Sequence, residues 1–219
     1  MLRFEDVKQD EGVSAYIRKA DESLAALGYT YHSFGHVGKV AETAGYILET
    51  LGYPPREVEL AKIAAWLHDI GNVINRVDHA QSGAVMAFRI LDRLGADPEE
   101  VATIITAIGN HDEGTAEAVN PVAAALILGD KTDVRRSRVR NKDVLNFDIH
   151  DRVNYSVKET LVEINEDHSA ILVEITIDTD YCSVMDYFEI FLGRMILCRK
   201  AAARLGLRLC LRINGQQVL

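Results

Sequence analysis

A mainly α-helical bundle with a small C-terminal α+β extension is the fold class that this chain of 219 residues predicts. Three observations carry it. Through the first two thirds of the chain, apolar residues recur at helical spacing. Proline, glycine, asparagine and aspartate stand at the ends of those stretches, where helices start and stop. Toward the C-terminus, alternation of period two takes over. The expected division is residues 1–140 for the bundle and 141–219 for the extension packed on it.

The stretch from Glu5 to Leu27 is helix-compatible and ends at Gly28, with Tyr29 to Gly35 as an aromatic connector. The next helix starts near His36 and carries Val37, Val40, Ala44, Ile47, Leu48 and Leu51 on one stripe. Gly52, Pro54 and Pro55 end it and open another, in which Val58, Ala61, Ala64, Ala65 and Leu67 lead into His68. His68 follows Ala61 by seven residues and Ala64 by four, so it falls on the buried face, and Gly71 is expected to stop the helix. Asp78 reads as an N-cap, which places His79 in the first turn of a helix carried by Val85, Phe88, Leu91 and Leu94. Residues 97–100, DPEE, combine a cap, an N1 proline and an acidic first turn. That helix buries Val101, Ile104 and Ile108, and His111 continues the face at its end. Asn120-Pro121 opens a further helix, with Ala123, Leu126, Ile127 and Asp130 together.

In the extension, residues 160–165 and 170–178 alternate, with Ile171, Val173, Ile175 and Ile177 on one face. The linker NEDHS can turn an antiparallel hairpin. A long helix from about Ser183 to Leu205 follows, then an alternating run of Leu207, Leu209, Leu211 and Ile213. These short strands are expected to pair antiparallel, and the exposed edge of such a sheet needs cover, which a homodimer or the long helix at 183–205 can supply, with the homodimer favoured.

Composition narrows the function. At 48% hydrophobic the chain can bury a substantial core without disulfides. A net charge of -9 tells against binding long nucleic acid, which rests on phosphate-neutralising cations. It leaves a small phosphorylated substrate open. Cys182, Cys198 and Cys210 have no zinc or redox spacing and are expected to be reduced. With no apolar leader and no membrane-length run, the expectation is a cytoplasmic protein with no membrane partner.

Six metal-capable side chains stand in one order: His36, the adjacent His68 and Asp69, His79, His111 and Asp130. Each sits at a helix terminus or on an inward face, as a site inside an α-bundle requires. Imidazole nitrogen with carboxylate oxygen suits a divalent transition metal of intermediate hardness, so iron, manganese, cobalt or nickel is expected rather than magnesium. The order His…His-Asp…Asp, with HDIG at residues 68–71, resembles the HD superfamily of metal-dependent phosphohydrolases over roughly residues 30–135. The two further histidines, His79 and His111, resemble those of members that hold two ions. The resemblance implies that His36, His68, Asp69 and Asp130 bind one ion. It also implies that His79 and His111 bind a second, with Asp69 bridging and a metal-activated water attacking phosphorus.

YHSFGHV at residues 31–37 looks like the opening motif of class I cyclic-nucleotide phosphodiesterases, which share the ligand set. There the histidine one turn before the first ligand protonates the leaving oxygen, so His32 becomes the implied general acid. Asn72 stands where many relatives, including cyclic-di-nucleotide phosphodiesterases, have lysine, and their GYP signature downstream of HDIG is lacking. Both departures tell against that substrate. Phosphate contacts are expected from Asn72 in the lysine's place and from DKTDVRRSRVRNK at residues 130–142, with Lys131 and Arg135 favoured for their distance from Asp130. The resulting expectation is a phosphohydrolase of a nucleotide or another small phosphorylated metabolite. A di-iron oxygenase of the same family and a catalytically silent nucleotide sensor are the rival readings.

Overall fold

The computed structural model describes residues 1–143 and 147–219. The first expected helix is two: α1 (Phe4–Gln9) and α2 (Glu11–Ala26). Asp10 breaks the run because its backbone turns extended and its carboxylate accepts the Val13 N–H, capping α2. The helix α3 (Phe34–Thr50) buries Val37, Val40, Ala44, Ile47 and Leu48 as the stripe requires. After α4 (Pro55–Leu67) the chain does not stop at Gly71. It leaves the α-helix at His68 and tightens into a 3-10 turn over Ile70–Val73 that contains Gly71.

The helix α5 (His79–Arg93) begins at His79 as expected, but Asp78 makes no side-chain cap and has positive φ, 56°. Its buried face is also different. Ala80, Gly83, Ala87, Ile90 and Leu91 are inside, whereas Val85 and Phe88 are exposed. Small residues carry little hydrophobic signal, yet they are what lets α5 lie close on the 3-10 turn. A Cβ on Gly71 would stand 2.0 Å from the His79 carbonyl oxygen and 2.5 Å from the Gly83 nitrogen.

The helices α6 (Pro98–Gly109) and α7 (Pro121–Thr132) start at the expected caps, Asp97 and Asn120. The helix α7 is almost wholly buried and crosses α3 at Gly129, where a Cβ would stand 2.9 Å from the Val40 carbonyl oxygen. That close crossing carries Asp130 to His36.

The extension begins with α8 (Ile149–Ser156), which the sequence reading passed over because its eight residues are mostly polar. Strand β1 (Val157–Ile164) pairs antiparallel with β2 (Ala170–Ile177), the expected hairpin. The long helix is α9 (Val184–Arg204), opened by a Ser183–Asp186 capping box. It is followed by β3 (Arg208–Ile213) and a short β4 (Gln216–Gln217). The sheet order is β1-β2-β3-β4, and it is mixed. The last alternating run is expected to pair antiparallel like the hairpin, but β3 joins β2 parallel, because α9 carries the chain back across the sheet. The predicted face of β2 is buried, together with Leu209, Leu211 and Ile213. The helix α9 also packs on α7, so bundle and extension share one core. All three cysteines are free. Among the described residues no helix is long and apolar enough to cross a membrane.

Candidate metal centre and its cleft

Tertiary folding brings all six expected ligands together. His36 comes from the first turn of α3, His68 and Asp69 from the end of α4, and His79 from the start of α5. His111 follows α6, and Asp130 lies in the last turn of α7. The four histidines and Asp69 are buried, and Asp130 is nearly so.

Local bonds set which nitrogen each imidazole offers. The Nδ1 atoms of His68, His79 and His111 lie 2.7, 3.0 and 2.6 Å from the carbonyl oxygens of Ala65, Arg76 and Ile108. A carbonyl only accepts, so each Nδ1 carries the proton and each Nε2 keeps a lone pair. His36 follows the same logic with a carboxylate, its Nδ1 donating to Asp133 Oδ2 at 2.8 Å. The Nε2 atoms then converge. His36 Nε2 is 3.3 Å from Asp130 Oδ1 and 3.5 Å from Asp69 Oδ2. His68 Nε2 is 3.2 Å from Asp69 Oδ2, and His79 Nε2 is 3.2 Å from His111 Nε2. Asp69 divides its oxygens: Oδ2 faces His36 and His68, while Oδ1 lies 3.6 Å from His79.

Charge follows the same geometry. Burial opposes ionisation of Asp69, but the neighbouring imidazoles, His68 foremost, hold its carboxyl well below the usual range. Asp130 is held down likewise against burial, chiefly by the Lys131 ammonium. Burial pushes His111 well down, helped by His68 and Lys131, which keeps it a neutral donor.

A metal fits these residues. Among the described residues four buried side-chain atoms lack a hydrogen-bond partner, and three are His36 Nε2, His68 Nε2 and Asp69 Oδ2. Buried polar atoms are rarely left unpaired. Three facing one another, all with lone pairs, are satisfied together by a cation. Two overlapping groups have ligand geometry: His36, His68 and Asp130, and His68, Asp69 and His111.

The expected phosphate contacts separate. Asn72 is buried and its amide holds Asp69, at 2.9 Å from the carbonyl oxygen and 3.0 Å from Oδ1. Lys131 faces the pocket but is tied to Asp130 Oδ2 at 2.7 Å. Arg135 points away, donating to Asp133 and to the Gly35 carbonyl, and it lines a different groove between α3 and β1. Arg136 stacks on Tyr155 at 4.4 Å. His32 does reach the site. Its ring lies 5.4 Å from that of His36, and its Nδ1 donates to the Thr30 carbonyl at 2.7 Å.

Three arginines that the sequence did not single out complete the pocket: Arg76, Arg138 and Arg194. Arg138 was only one of a basic run, and Arg194 lies more than sixty residues beyond Asp130. No local signal marks either. Asp133, which orients His36, was also missed, although it lies one turn after Asp130 in the same DKTD segment.

A family model described as "HD domain" matches residues 33–189. The chain belongs to the HD domain family. The HD match takes in all six ligands and ends before Arg194. Ribonuclease Y of Latilactobacillus sakei is 30% identical over 119 residues, 54% of this chain and 21% of that protein. Ribonuclease Y of Thermobifida fusca is 34% identical over 128 residues, 55% of this chain and 25% of that protein. The chain thus spans a quarter or less of these ribonuclease Y sequences. An uncharacterized protein of Methanocaldococcus jannaschii is 26% identical over 201 residues, 81% of this chain and 76% of that one. Among solved structures, a predicted HD superfamily hydrolase from an uncultured Thermotogales bacterium is 28% identical. It covers 57% of this chain and 67% of its own, with a TM-score of 0.44.

Proposed function

We propose that this HD protein is a metal-dependent phosphohydrolase acting on a phosphomonoester or phosphodiester of a nucleotide or another small phosphorylated metabolite. One observation carries the reading. Asp69, whose buried Oδ2 has no hydrogen-bond partner, lines one pocket with His79, His111 and Asp130 on one side and Arg76, Arg138 and Arg194 on the other, so cation-binding groups and anion-binding groups share one space. Arginine forks match phosphate oxygens. The divided carboxylate of Asp69 supports a reading with two ions, one of which His36, His68, Asp69 and Asp130 would hold and the other Asp69, His79 and His111. Bound divalent ions supply Lewis acidity toward phosphoryl oxygens and lower the pKa of a coordinated water.

The chain's own residues do the rest. Arg76, Arg138 and Arg194 orient the phosphate. As the oxygen of water bonds to phosphorus and the ester P–O bond breaks, the departing oxygen takes a proton, and His32 is placed to give it. Its Nδ1 is committed to Thr30, which leaves Nε2 for the pocket. Burial, then Arg138, push the His32 imidazole well down. A phosphate bound between the two supplies the negative charge that restores its proton. Asn72 and Asp133 act through others, fixing Asp69 and His36.

The test is a screen of phosphorylated metabolites with anaerobically loaded iron, manganese, cobalt or nickel. Phosphate release that stops on chelation, and is abolished in His68→Ala, is the expected result. Oxygen consumption by the iron-loaded protein without phosphate release would establish the oxygenase instead. Nucleotide binding without turnover under any metal would leave the sensor.

A further inference from the structure

The geometry points to the C-terminal extension as the wall that selects the substrate. It is shaped for a small phosphomonoester whose far end offers hydrogen-bond donors and carries no second phosphate. The inference rests on the phosphohydrolase reading and deepens it. A cleft of about 480 Å³ adjoins the metal-ligand pocket and shares His32, Arg76, Arg138 and Arg194 with it. That volume is of the size small-molecule sites have.

The two ends of the cleft have opposite chemistry. The inner end carries the three arginines against one acid, Glu113, which pairs with Arg194 at 2.7 Å, so positive charge is in excess there. The outer end belongs to α8 and its cap, where Asp148, His150, Asp151 and Asn154 line it. Asn154 is only 7% exposed, and its Nδ2 donates to the His150 carbonyl at 2.9 Å, so its Oδ1 is left to accept. Carboxylates only accept as well. Three of these four side chains accept and the His150 imidazole can do either, so a ligand that brings donors there, such as hydroxyl or amino groups, is favoured. The side walls between the ends are aromatic. Tyr29 lies under the Arg76 guanidinium at 5.5 Å, and Phe191 under that of Arg194 at 4.4 Å.

The extension also reaches the metal ligands. Arg194 of α9 bonds Glu113 at 2.7 Å, Glu113 faces Lys131 at 3.5 Å, and Lys131 holds Asp130 at 2.7 Å. Of this series only Arg194 lies outside the HD match, so through that one residue the last helix reaches the candidate ligands.

A polynucleotide carries one phosphate per unit. Seating one among the arginines would bring the next toward Asp148 and Asp151, where like charge repels it. A nucleoside 5′-monophosphate has no such conflict. Its hydrolysis transfers the water oxygen to phosphorus and a proton to the departing hydroxyl, releasing phosphate and nucleoside.

The experiment compares three substrates with the full chain loaded with manganese: p-nitrophenyl phosphate, a nucleoside 5′-monophosphate and the corresponding 5′-phosphorylated dinucleotide. The monophosphate should exceed the dinucleotide in kcat/KM by tenfold or more. In Asp148→Asn/Asp151→Asn the ratio of monophosphate to nitrophenyl turnover should fall roughly tenfold, as expected for lost hydrogen bonds to charged groups. Asparagine still caps a helix, so α8 is retained, and circular dichroism checks this. Calorimetry of the metal-free protein with the monophosphate should show the same weakening without any turnover. Preference for the dinucleotide, or a variant that slows all substrates equally, would overturn the inference. Binding that stays sensitive to the variant while nothing is turned over would uphold the cleft and overturn the phosphohydrolase reading.

Discussion

Gly71 is the position at which one methyl group should separate the two halves of the metal centre. In Gly71→Ala the new Cβ stands 2.0 Å from the His79 carbonyl oxygen and 2.5 Å from the Gly83 nitrogen. Both are backbone atoms of α5 and cannot rotate away. Ordinary contact begins near 3.4 Å, so the 3-10 turn and the start of α5 must part by roughly 1.4 Å. His79 is the first residue of α5, and its Nε2 lies 3.2 Å from His111 Nε2 and 3.6 Å from Asp69 Oδ1. A displacement of that size takes His79 out of reach of a shared ion, while His36 and Asp130, on α3 and α7, stay in place. Overpacking of this kind costs about 1–3 kcal/mol, which for a chain of this size lowers Tm by roughly 2–12 °C. The assay is metal per chain by elemental analysis after anaerobic reconstitution, beside calorimetric unfolding. The variant should hold about one ion fewer than the parent chain and unfold earlier. Gly193→Ala is the control, since nothing lies within 4 Å of its Cβ on α9. A Gly71→Ala protein with the parent's metal content and Tm would refute the close-approach argument.

Asp133→Asn removes the carboxylate that accepts the His36 Nδ1 proton, and metal affinity measured by chelator competition should fall about 10–100-fold; unchanged affinity would show that His36 is oriented by packing alone. Asp69→Ala should lose both ions, because its oxygens face both clusters, whereas His111→Ala should lose mainly one; equal losses would contradict the bridge. His32→Ala should lower turnover by about 10²–10⁴-fold with metal content intact, and less for nitrophenyl esters, whose leaving group needs no proton. An equal penalty on both substrate types would make His32 a positioning residue. Strand β1 forms one edge of the sheet, where the Ile164 N–H is met by the Tyr46 hydroxyl, and a homodimer covering the rest of that edge should appear in light scattering at micromolar concentration. A monomer would exclude it.

Much of the bundle was legible because its signals are local. A cap such as Asp97 or Asn120 bonds its own first turn, and the stripe from Val37 to Leu48 needs only helical periodicity to be seen. The six ligands were legible for a related reason: each stands at the end or on the inner face of a readable helix, and their order along the chain resembles that of a known family. Where reading failed, the deciding contact was non-local. Val85 and Phe88 have stronger apolar character than Ala80, Gly83 and Ala87, but the approach of the 3-10 turn selects the small residues for the inside. The third strand alternates as well in a parallel as in an antiparallel partnership, and only the path of α9 decides between them.

By itself, then, the sequence determined most of the bundle helices, the caps that open α6 and α7, the candidate ligand set and the family whose pattern that set follows. Tertiary structure decided how those ligands are used. It turned each Nε2 inward by committing Nδ1 to a carbonyl or to Asp133, and it divided the oxygens of Asp69 between two clusters. It spent Asn72 on Asp69 and Arg135 on Gly35, and it brought Arg76 and Arg194 to the pocket in their stead. The physical reason lies in reach. A helix start is settled within one turn of chain, whereas a long arginine side chain goes wherever folding has left a carbonyl, a carboxylate or an aromatic face to receive it.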